Sequence, residues 1–429
     1  MTTAIFFLTL IIVVALIFEY TNGFQDAANA IATVVSTKVL SPRQAILYAA
    51  VLNFIGAFFG TAVAKTVGSG IVDKLAITPE VILCGLLGAI FMTVLTWFFG
   101  IPISCSHALI GGLVGAAVAG SGFSVVHVDT LVTKVVVPMF ASPLMGFIVG
   151  FLFMLILLWI VAKMAPEKIN KKFKALQVVS AGIMAFSHGS NDAQKTMGII
   201  TLALLTYWMT TLGHPGPDDF IVKVVPVANS VTINLNDFVE GDDSFTKFEK
   251  GVAYVLATKA DENDTITVEF TYNNGTFRFL TDSVESDGST VTFSDPRLKT
   301  GEEYSFTLHS YEFVVPFWVI FICALTMMLG TAAGGWKIIR TLGHRVLKLK
   351  PIHGFAAETT AAGTILTATF FGIPVSTTHI ISTAIMGVGS TIRLSAVKWG
   401  IVGKIVTAWF LTIPLSATVA AILYKMFVW

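Results

Sequence analysis

Long apolar stretches limit what this sequence can fold into more than any other feature. Crossing the roughly 30 Å hydrocarbon layer of a membrane takes about 20 helical residues. Stretches of that order run at 3–20, 44–64, 80–98, 131–161, 313–336, 352–371 and 400–424. The chain is 55% hydrophobic and only 12% charged, whereas soluble domains are about 25% charged. The sequence therefore predicts an all-α polytopic membrane protein.

Three further apolar stretches carry polar or helix-breaking residues. Residues 21–38 follow a polar break, 104–120 follow a break at Gly100 and Pro102, and 176–212 contains the string SHGSND in its middle. Broken backbone at membrane depth is tolerated only where protein or a water-filled cavity surrounds it, because lipid offers no hydrogen bonds. We therefore expect broken helices that point inward at a site.

The distribution of lysine and arginine predicts the orientation, since basic loops stay on the cytoplasmic side. The loops at 163–174 and 337–350 are both strongly basic. Threading the spans between them places both termini outside the cell. The first apolar stretch lacks a basic leading region and a cleavage site, so we expect it to remain as a membrane helix rather than a signal peptide.

The composition changes abruptly in residues 214–312. Polar residues predominate there and alternate with apolar ones, as in 265–272. Such alternation predicts β-strands, with turns at Asn274-Gly275 and Asp295-Pro296. We predict a small β-sandwich-like insert. One crossing separates each end of the insert from a cytoplasmic loop, so the insert is expected to be extracellular.

Charge and cysteine content exclude other classes. A net charge of +1 argues against nucleic acid as a partner, which requires a clustered basic surface. Cys84, Cys105 and Cys323 all lie in apolar stretches, whereas a disulfide framework needs an even count in a secreted context. We predict three free thiols.

Two motifs occur twice in the chain. Residues 98–107, FFGIPISCSH, match 370–379, FFGIPVSTTH, and residues 22–29, NGFQDAAN, match 188–195, HGSNDAQK, more loosely. The basic loops give the two copies opposite directions, so the halves are predicted to be inverted repeats that form two bundles with the substrate at their interface. The predicted division is 1–161 and 176–213 with 313–429 as the repeats, 162–175 as a cytoplasmic loop and 214–312 as the insert.

Each copy of the first motif places small polar residues directly after a Gly-Ile-Pro break. They are Ser104, Cys105 and Ser106 in one copy and Ser376, Thr377 and Thr378 in the other. A helix that starts there offers unpaired N–H groups, hydroxyl donors and the positive end of its dipole, which suit a tetrahedral oxyanion. A single copy would be explained as an ordinary helix cap. The duplication favours an anion site between two helix starts.

The second motif places carboxylates and amides in apolar surroundings, where ionisable groups usually have a function. Oxygen-rich clusters suit sodium, or a proton held on an aspartate. Glu19 and Glu358 are further coupling candidates, although each could instead be a structural partner of Lys195 or of a histidine. His107, His188 and His379 could be ligands or proton carriers, or could simply bind backbone carbonyls.

Together the four motifs resemble the inorganic phosphate transporter (PiT) family of sodium- or proton-coupled phosphate symporters. The resemblance covers both membrane halves and not the insert. It implies a phosphate between the hairpin tips, with sodium, if sodium is the coupling ion, on Asn22, Asp26, Asn191 and Asp192. The expected phosphate-binding residues are Asn29, Ser104, Cys105, Ser106, Gln194, Lys195, Ser376, Thr377 and Thr378. The expected coupling residues are Glu19, Asn22, Asp26, Ser187, Asn191, Asp192 and Glu358.

Two departures from the family pattern leave the coupling ion open. Gln25 stands where many members have asparagine, and Lys195 stands opposite Asn29. A fixed ammonium could replace a coupling cation, so proton or metal-phosphate symport remains open beside sodium symport.

The substrate and the class of protein also have alternatives. Sulfate has the same shape as phosphate, but aspartate acceptors favour the protonated anion. An intramembrane phosphohydrolase would need a nucleophile paired with a base, and a phosphate channel fits paired inverted halves less well. We expect no enzyme and no cofactor besides the coupling ion. A homodimer remains open, because small residues such as Gly111 and Gly146 could pack within or between subunits.

Overall fold

The computed structural model describes residues 2–69, 71–72, 77–207, 314–347 and 349–428, and the backbone of eight strands between 219 and 310. The chain divides into two compact units. One contains Met1–Tyr207 and Val314–Trp429, and the other contains Trp208–Phe313.

The first unit is helical. Its helices, in chain order, are α1 Thr2–Ser36, α2 Pro42–Gly56, α3 Ala62–Ser69, α4 Pro79–Phe99, α5 Cys105–Ser121, α6 Val128–Leu131, α7 Val137–Val161, α8 Pro166–Tyr207, α9 Phe317–Ala333, α10 Trp336–Arg340, α11 Pro351–Phe370, α12 Thr377–Ser390 and α13 Trp399–Phe427. Single π-helical segments join α6 to α7 and follow α10.

Helices long and apolar enough to cross a membrane confirm the membrane class. Four meet this criterion among the described residues, and a fifth would be the pair Phe317–Ala333 and Trp336–Gly343, which is bent by 59°. Their outer faces carry exposed large apolar side chains such as Phe6 and Trp159, which suit contact with lipid. Cys84, Cys105 and Cys323 are buried free thiols, as predicted.

The two longest helices correct one prediction. Helix α1 is continuous over 35 residues and α8 over 42. The breaks predicted at residue 21 and within the SHGSND string are therefore not present. A helix satisfies its own backbone hydrogen bonds whatever its side chains are. The glycines of both strings also have a packing role, since Gly23 lies against the backbone of Met327 and Gly189 against that of Asn53.

The two predicted hairpin breaks are present. Gly100 ends α4 and Gly372 follows α11, with φ of +66° and +63° respectively. Glycine adopts this left-handed conformation without a steric penalty. Ser104 and Ser376 then cap α5 and α12, so each Phe-Phe-Gly-Ile-Pro string forms the turn of a helical hairpin.

The packing of the last helices differs from the expected two bundles, one made from 1–161 and the other from 176–213 with 313–429. Helix α13 packs on α4 and α5 of the first half, and α7 packs on α11 and α12 of the second half. Helices α1 and α8 likewise pack on α9 and α2. The halves therefore exchange helices within one compact unit.

Small residues on the facing surfaces make this exchange possible. A Cβ atom at Gly146 would lie 2.5 Å from Thr383 Oγ1, and one at Gly111 would overlap Ser416. Gly115 and Gly150 similarly contact the backbone of Ala417 and Ala384. These glycines are thus used for packing within the subunit.

The second unit contains strands. They are β1 Asp219–Val224, β2 Ser230–Asn234, β3 Ala253–Ala260, β4 Asp264–Thr271, β5 Arg278–Phe279, β6 Val284–Ser286, β7 Thr290–Ser294 and β8 Tyr304–Ser310. They form an antiparallel five-stranded sheet, β1-β8-β3-β4-β5, and an antiparallel three-stranded sheet, β2-β7-β6. The turns predicted at Asn274-Gly275 and Asp295-Pro296 lie outside the described residues, and the sandwich packing stays a prediction.

Candidate functional site

The two hairpin tips meet each other in the interior of the helical unit. The Ser106 hydroxyl at the start of α5 donates to the Val375 carbonyl, 3.2 Å away, just before α12. One residue further on, the His107 and His379 rings pack edge to face with their centroids 5.0 Å apart. The tips of the two hairpins therefore contact each other directly.

Helix α12 begins directly beside the aspartates of the other motif pair. Thr378 donates to Asp26 Oδ1 and Thr377 donates to Asp192 Oδ2, both over 2.9 Å. The Asn29 amide donates to the Thr378 hydroxyl over 2.8 Å and to that of Thr377 over 3.3 Å. The structure thus brings α1, α8 and the second hairpin together at this point, as the motif pattern predicted.

Lys195 places a positive charge where the two tips meet. Its ammonium donates to Asp192 Oδ1, to the Ser106 hydroxyl and, over 3.0 Å, to the Val375 carbonyl. The side chain is among the largest fully buried ones in the described part of the chain. Buried ammonium groups require such partners, because transfer out of water is costly.

His188 links the two aspartates. Its Nε2 atom lies 3.0 Å from Asp192 Oδ2 and 3.9 Å from Asp26 Oδ2. Its other ring nitrogen, Nδ1, lies 2.9 Å from Asn53 Oδ1, and the Asn53 amide donates to Thr331 over 3.0 Å. Sequence reasoning missed Asn53 and Thr331. The only signal was a polar residue inside the apolar stretch 44–64.

The Asp26, His188 and Asp192 side chains form a set that could hold a cation. One ligand atom from each lies within 4.8 Å of the other two, and all three residues are buried. Of the four residues expected to bind sodium, only Asp26 and Asp192 belong to this set. Asn191 instead donates to the Thr369 hydroxyl over 2.8 Å and to the Ile373 carbonyl over 3.3 Å.

Several predicted site residues make local contacts. Ser104 and Ser376 accept the amides of His107 and His379, as helix caps do. Gln194 binds backbone, with Oε1 accepting from Val63 and Nε2 donating to Ser190. Ser187 donates to the carbonyl one turn before it, and Cys105 is buried at the first residue of α5. Their roles in binding stay predictions.

The two glutamates lie apart from Lys195. Glu19 accepts a hydrogen bond from Thr196. Glu358 accepts from Thr33, from Ser180 and, over 3.1 Å, from the Gln177 amide. Both side chains are fully buried, and in the described part of the chain neither forms an ion pair. The alternative that they pair with Lys195 or a histidine is therefore not observed.

The combined arrangement provides donors for an anion and acceptors for a cation. Lys195 and the hydroxyls at both hairpin tips are the donors. The side-chain carbonyl oxygens of Asn22, Asn29 and Asn191 and one oxygen of Glu19 are buried acceptors without a hydrogen-bond partner among the described residues. Buried acceptors of this kind are rare unless a ligand or water satisfies them.

Comparisons with known proteins identify the family of this chain. Residues 22–420 match the model of the phosphate transporter family. A probable low-affinity inorganic phosphate transporter of Rhizobium meliloti (strain 1021) is 38% identical over 96% of this chain and 94% of its own length. A protein with the same description from Bacillus subtilis (strain 168) is 36% identical over 97% and 95%.

A solved structure described as the sodium-dependent phosphate transporter has the same fold. It superimposes with a TM-score of 0.66, is 20% identical and covers 98% of both chains. The family match and the relatives confirm the resemblance expected from the four motifs and indicate transport rather than catalysis. The chain therefore belongs to the phosphate transporter family and is a multi-pass membrane transporter.

Proposed function

We propose that this protein is a symporter that carries inorganic phosphate across the cell membrane together with protons. The observation that carries this proposal is the position of Lys195. Its ammonium joins both hairpin tips to Asp192, at the point where the hydroxyls of Ser106, Thr377 and Thr378 converge.

The donors around Lys195 suit phosphate. An ammonium, three hydroxyls and the N-terminal ends of α5 and α12 all favour a tetrahedral anion, and charge-assisted hydrogen bonds are the strongest of these contacts. Phosphate keeps a proton at neutral pH that it can donate to Asp26 or Asp192, whereas sulfate has none. The aspartates therefore favour phosphate over sulfate.

The basic groups beside the aspartates favour protons as the coupling ion. Where the first motif has Asn22 and Asn29, the second has His188 and Lys195. A sodium ion at Asp192 would compete with the ammonium already bound there, whereas a proton can be held between His188 and an aspartate. Sodium is the second candidate, because the oxygens of Asn22, Asn29 and Asn191 are free to bind it.

The exchange of helices supports inverted repeats and alternating access. The pairs α5–α13 and α12–α7, like the pairs α1–α9 and α8–α2, are equivalent contacts between the halves. Inverted repeats commonly hold substrate at their interface near the membrane midplane. The structure shortens the basic loop expected at 162–175 to a turn at 162–165, because α8 begins at Pro166. We place this turn, the basic start of α8 and the basic segment 337–350 in the cytoplasm, and both termini and the insert outside.

Uptake of radiolabelled phosphate into proteoliposomes tests the proposal. An imposed pH gradient should drive uptake by the wild type, an equal sodium gradient should not, and sulfate should not compete. Asp192→Asn and Lys195→Ala should each reduce uptake by about tenfold or more, since each removes one partner of a buried ion pair. Thr407→Val is a matched control, because within the described part of the chain its hydroxyl bonds only to the Gly403 carbonyl on its own helix.

The opposing outcomes are distinct. Uptake driven by sodium alone would replace protons as the coupling ion. A requirement for divalent cations, removed by a chelator, would indicate metal-phosphate symport. Transport of sulfate in place of phosphate would overturn the substrate.

A further inference from the structure

Glu358 forms a second buried polar network, separate from the cluster around Lys195. Its carboxylate on α11 accepts hydrogen bonds from Thr33 on α1 and from Ser180 and Gln177 on α8. In the described residues no basic side chain lies within ion-pair distance of it. A carboxylate without a counter-charge at membrane depth is costly and is usually retained for a function.

The network lies to one side of the aspartates. Thr33 is one helical turn beyond Asn29 on α1, and about 10 Å further along that helix than Asp26 at ~1.5 Å per residue. On α8, Ser180 and Gln177 precede His188 by roughly two and three turns. Both helices therefore carry polar side chains from the central cluster towards the same end of the molecule.

This polar path continues from Glu358 to the end of α1. The Thr37 hydroxyl donates to Gln177 Oε1 over 2.9 Å, while the Gln177 amide donates to Glu358. Gly354 makes room for this link, because a Cβ atom there would overlap the Gln177 amide. Thr37 is only partly buried. It precedes Lys38, whose positive charge is typical of loops on the cytoplasmic side.

The hydroxyls around Glu358 suit a group that changes its protonation state. A serine or threonine hydroxyl can donate to a carboxylate and, after rotation, accept from a carboxylic acid. Thr33 and Ser180 can therefore satisfy Glu358 with or without its proton.

Few other titratable groups face this network. Tyr48 on α2 approaches α8 at Gly182, and His353 lies on α11 itself. Helix α7 contains no titratable residue, and α3 contains Lys65. The remaining groups on the helices packed against α11 are Glu19, Tyr20 and Asp26 on α1, Glu167, Lys168, Lys171, Lys172, Lys174, His188, Asp192, Lys195 and Tyr207 on α8, and His379 on α12.

We propose that Glu358 is the residue that releases the coupling proton on the cytoplasmic side. This inference rests on the proposed proton-coupled symport. A carboxyl group of the central cluster, Asp26 or Asp192, loses its proton as its O–H bond breaks. Water carries the proton to the Glu358 carboxylate, where a new O–H bond forms. That bond breaks in turn when Glu358 gives the proton to water at the end of α1. Gln177 is a positioning residue that holds the carboxylate in line with Thr37.

The test compares two modes of transport by the full-length protein in proteoliposomes. Net uptake driven by a pH gradient requires proton release in every cycle, whereas exchange of labelled for unlabelled phosphate at equal pH does not. Glu358→Gln should lower net uptake by about tenfold or more, as expected when a proton-transfer group is removed. Exchange should remain within about threefold of wild type, because phosphate contacts are intact. Glu358→Asp, which keeps a carboxylate, should recover part of the net uptake.

Gln177→Leu should show the same split between the two modes, to a smaller extent. Thr367→Val on α11 is the matched control, since among the described residues its hydroxyl bonds only to the Gly363 carbonyl. Both modes should be unchanged. Equal loss of net uptake and exchange in Glu358→Gln, or no loss of either, would overturn the inference. Failure of the proposed function would appear separately, as wild-type uptake that does not respond to a pH gradient.

Discussion

Asn53 determines which nitrogen of His188 faces the aspartates. Its side-chain oxygen accepts from Nδ1 while its amide is held by Thr331, which leaves Nε2 directed at Asp192 and Asp26. Hydrogen bonds to the far nitrogen commonly set the orientation and tautomer of a functional histidine. Asn53 therefore contributes to the site without contacting either aspartate.

Replacing Asn53 tests this role. In Asn53→Leu the ring loses its acceptor and can turn away, so uptake should fall by about 10- to 100-fold, the usual cost of losing an outer partner of a histidine. Phosphate uptake and binding to the purified protein are the measurements.

Thr331→Ser serves as the control for Asn53, because it keeps the hydroxyl that accepts from the amide, and it should behave as wild type. Normal uptake by Asn53→Leu would show that His188 is held in place by packing alone.

The residues that could be singled out from the sequence differ from those that could not in whether they belong to a repeated motif. The duplicated motifs singled out Asp26, Asp192 and the α12 hydroxyls, and the structure brings these side chains together although Asp26 and Thr378 are 352 residues apart. Their roles in binding stay predictions. The link from Asn53 to Thr331 spans 278 residues, and no pattern in a single sequence indicates such a pairing.

At the scale of single helices, the continuity of α8 determines which side chains of residues 188–195 face the centre of the site. In a continuous helix, residues 188, 192 and 195 lie on one face, at spacings of four and three, whereas 194 lies off that face. The structure shows this arrangement, with Gln194 bound to the start of α3 and Lys195 in the centre. Because a break was predicted within SHGSND, helical periodicity was not applied to this segment. That periodicity would have separated Gln194 from the side chains at 188, 192 and 195.

The packing of α5 on α13 gives a prediction at the same scale. A Cβ atom at Gly115 would overlap the Ala417 backbone, which cannot yield as a flexible side chain can, whereas one at Gly403 would meet nothing within 4 Å. Gly115→Ala should therefore destabilise the protein by roughly 1–3 kcal/mol, the usual cost of overpacking. Gly403→Ala should be neutral or slightly stabilising, because alanine favours helix by about 0.5–1 kcal/mol.

Thermal unfolding of both glycine variants in detergent, followed by size-exclusion chromatography, measures the difference. An unchanged unfolding temperature for Gly115→Ala would mean that α5 and α13 are less closely packed than described.

At the scale of the whole molecule, the exchanged helices make the two halves depend on each other. We expect fragments divided within the short turn between α7 and α8, at residues 162–165, to assemble when they are produced together. Each fragment alone should aggregate or be degraded, because its glycine-lined faces lack the helices that cover them. Co-purification through a tag on one fragment is the measurement. Stable, monodisperse fragments produced singly would contradict this dependence.

The exchange of helices between the two halves also determines the order in which the protein can assemble. Helices α4 and α5 leave the ribosome early, but α13, which covers them, is made after all the other helices that the structure describes. For most of translation the first hairpin therefore lies in the bilayer without α13. Its small-residue surface then contacts lipid or the insertion machinery. The first hairpin is therefore covered only once α13 has been inserted, so a stop codon before residue 399 would leave α4 and α5 without the helix that covers them.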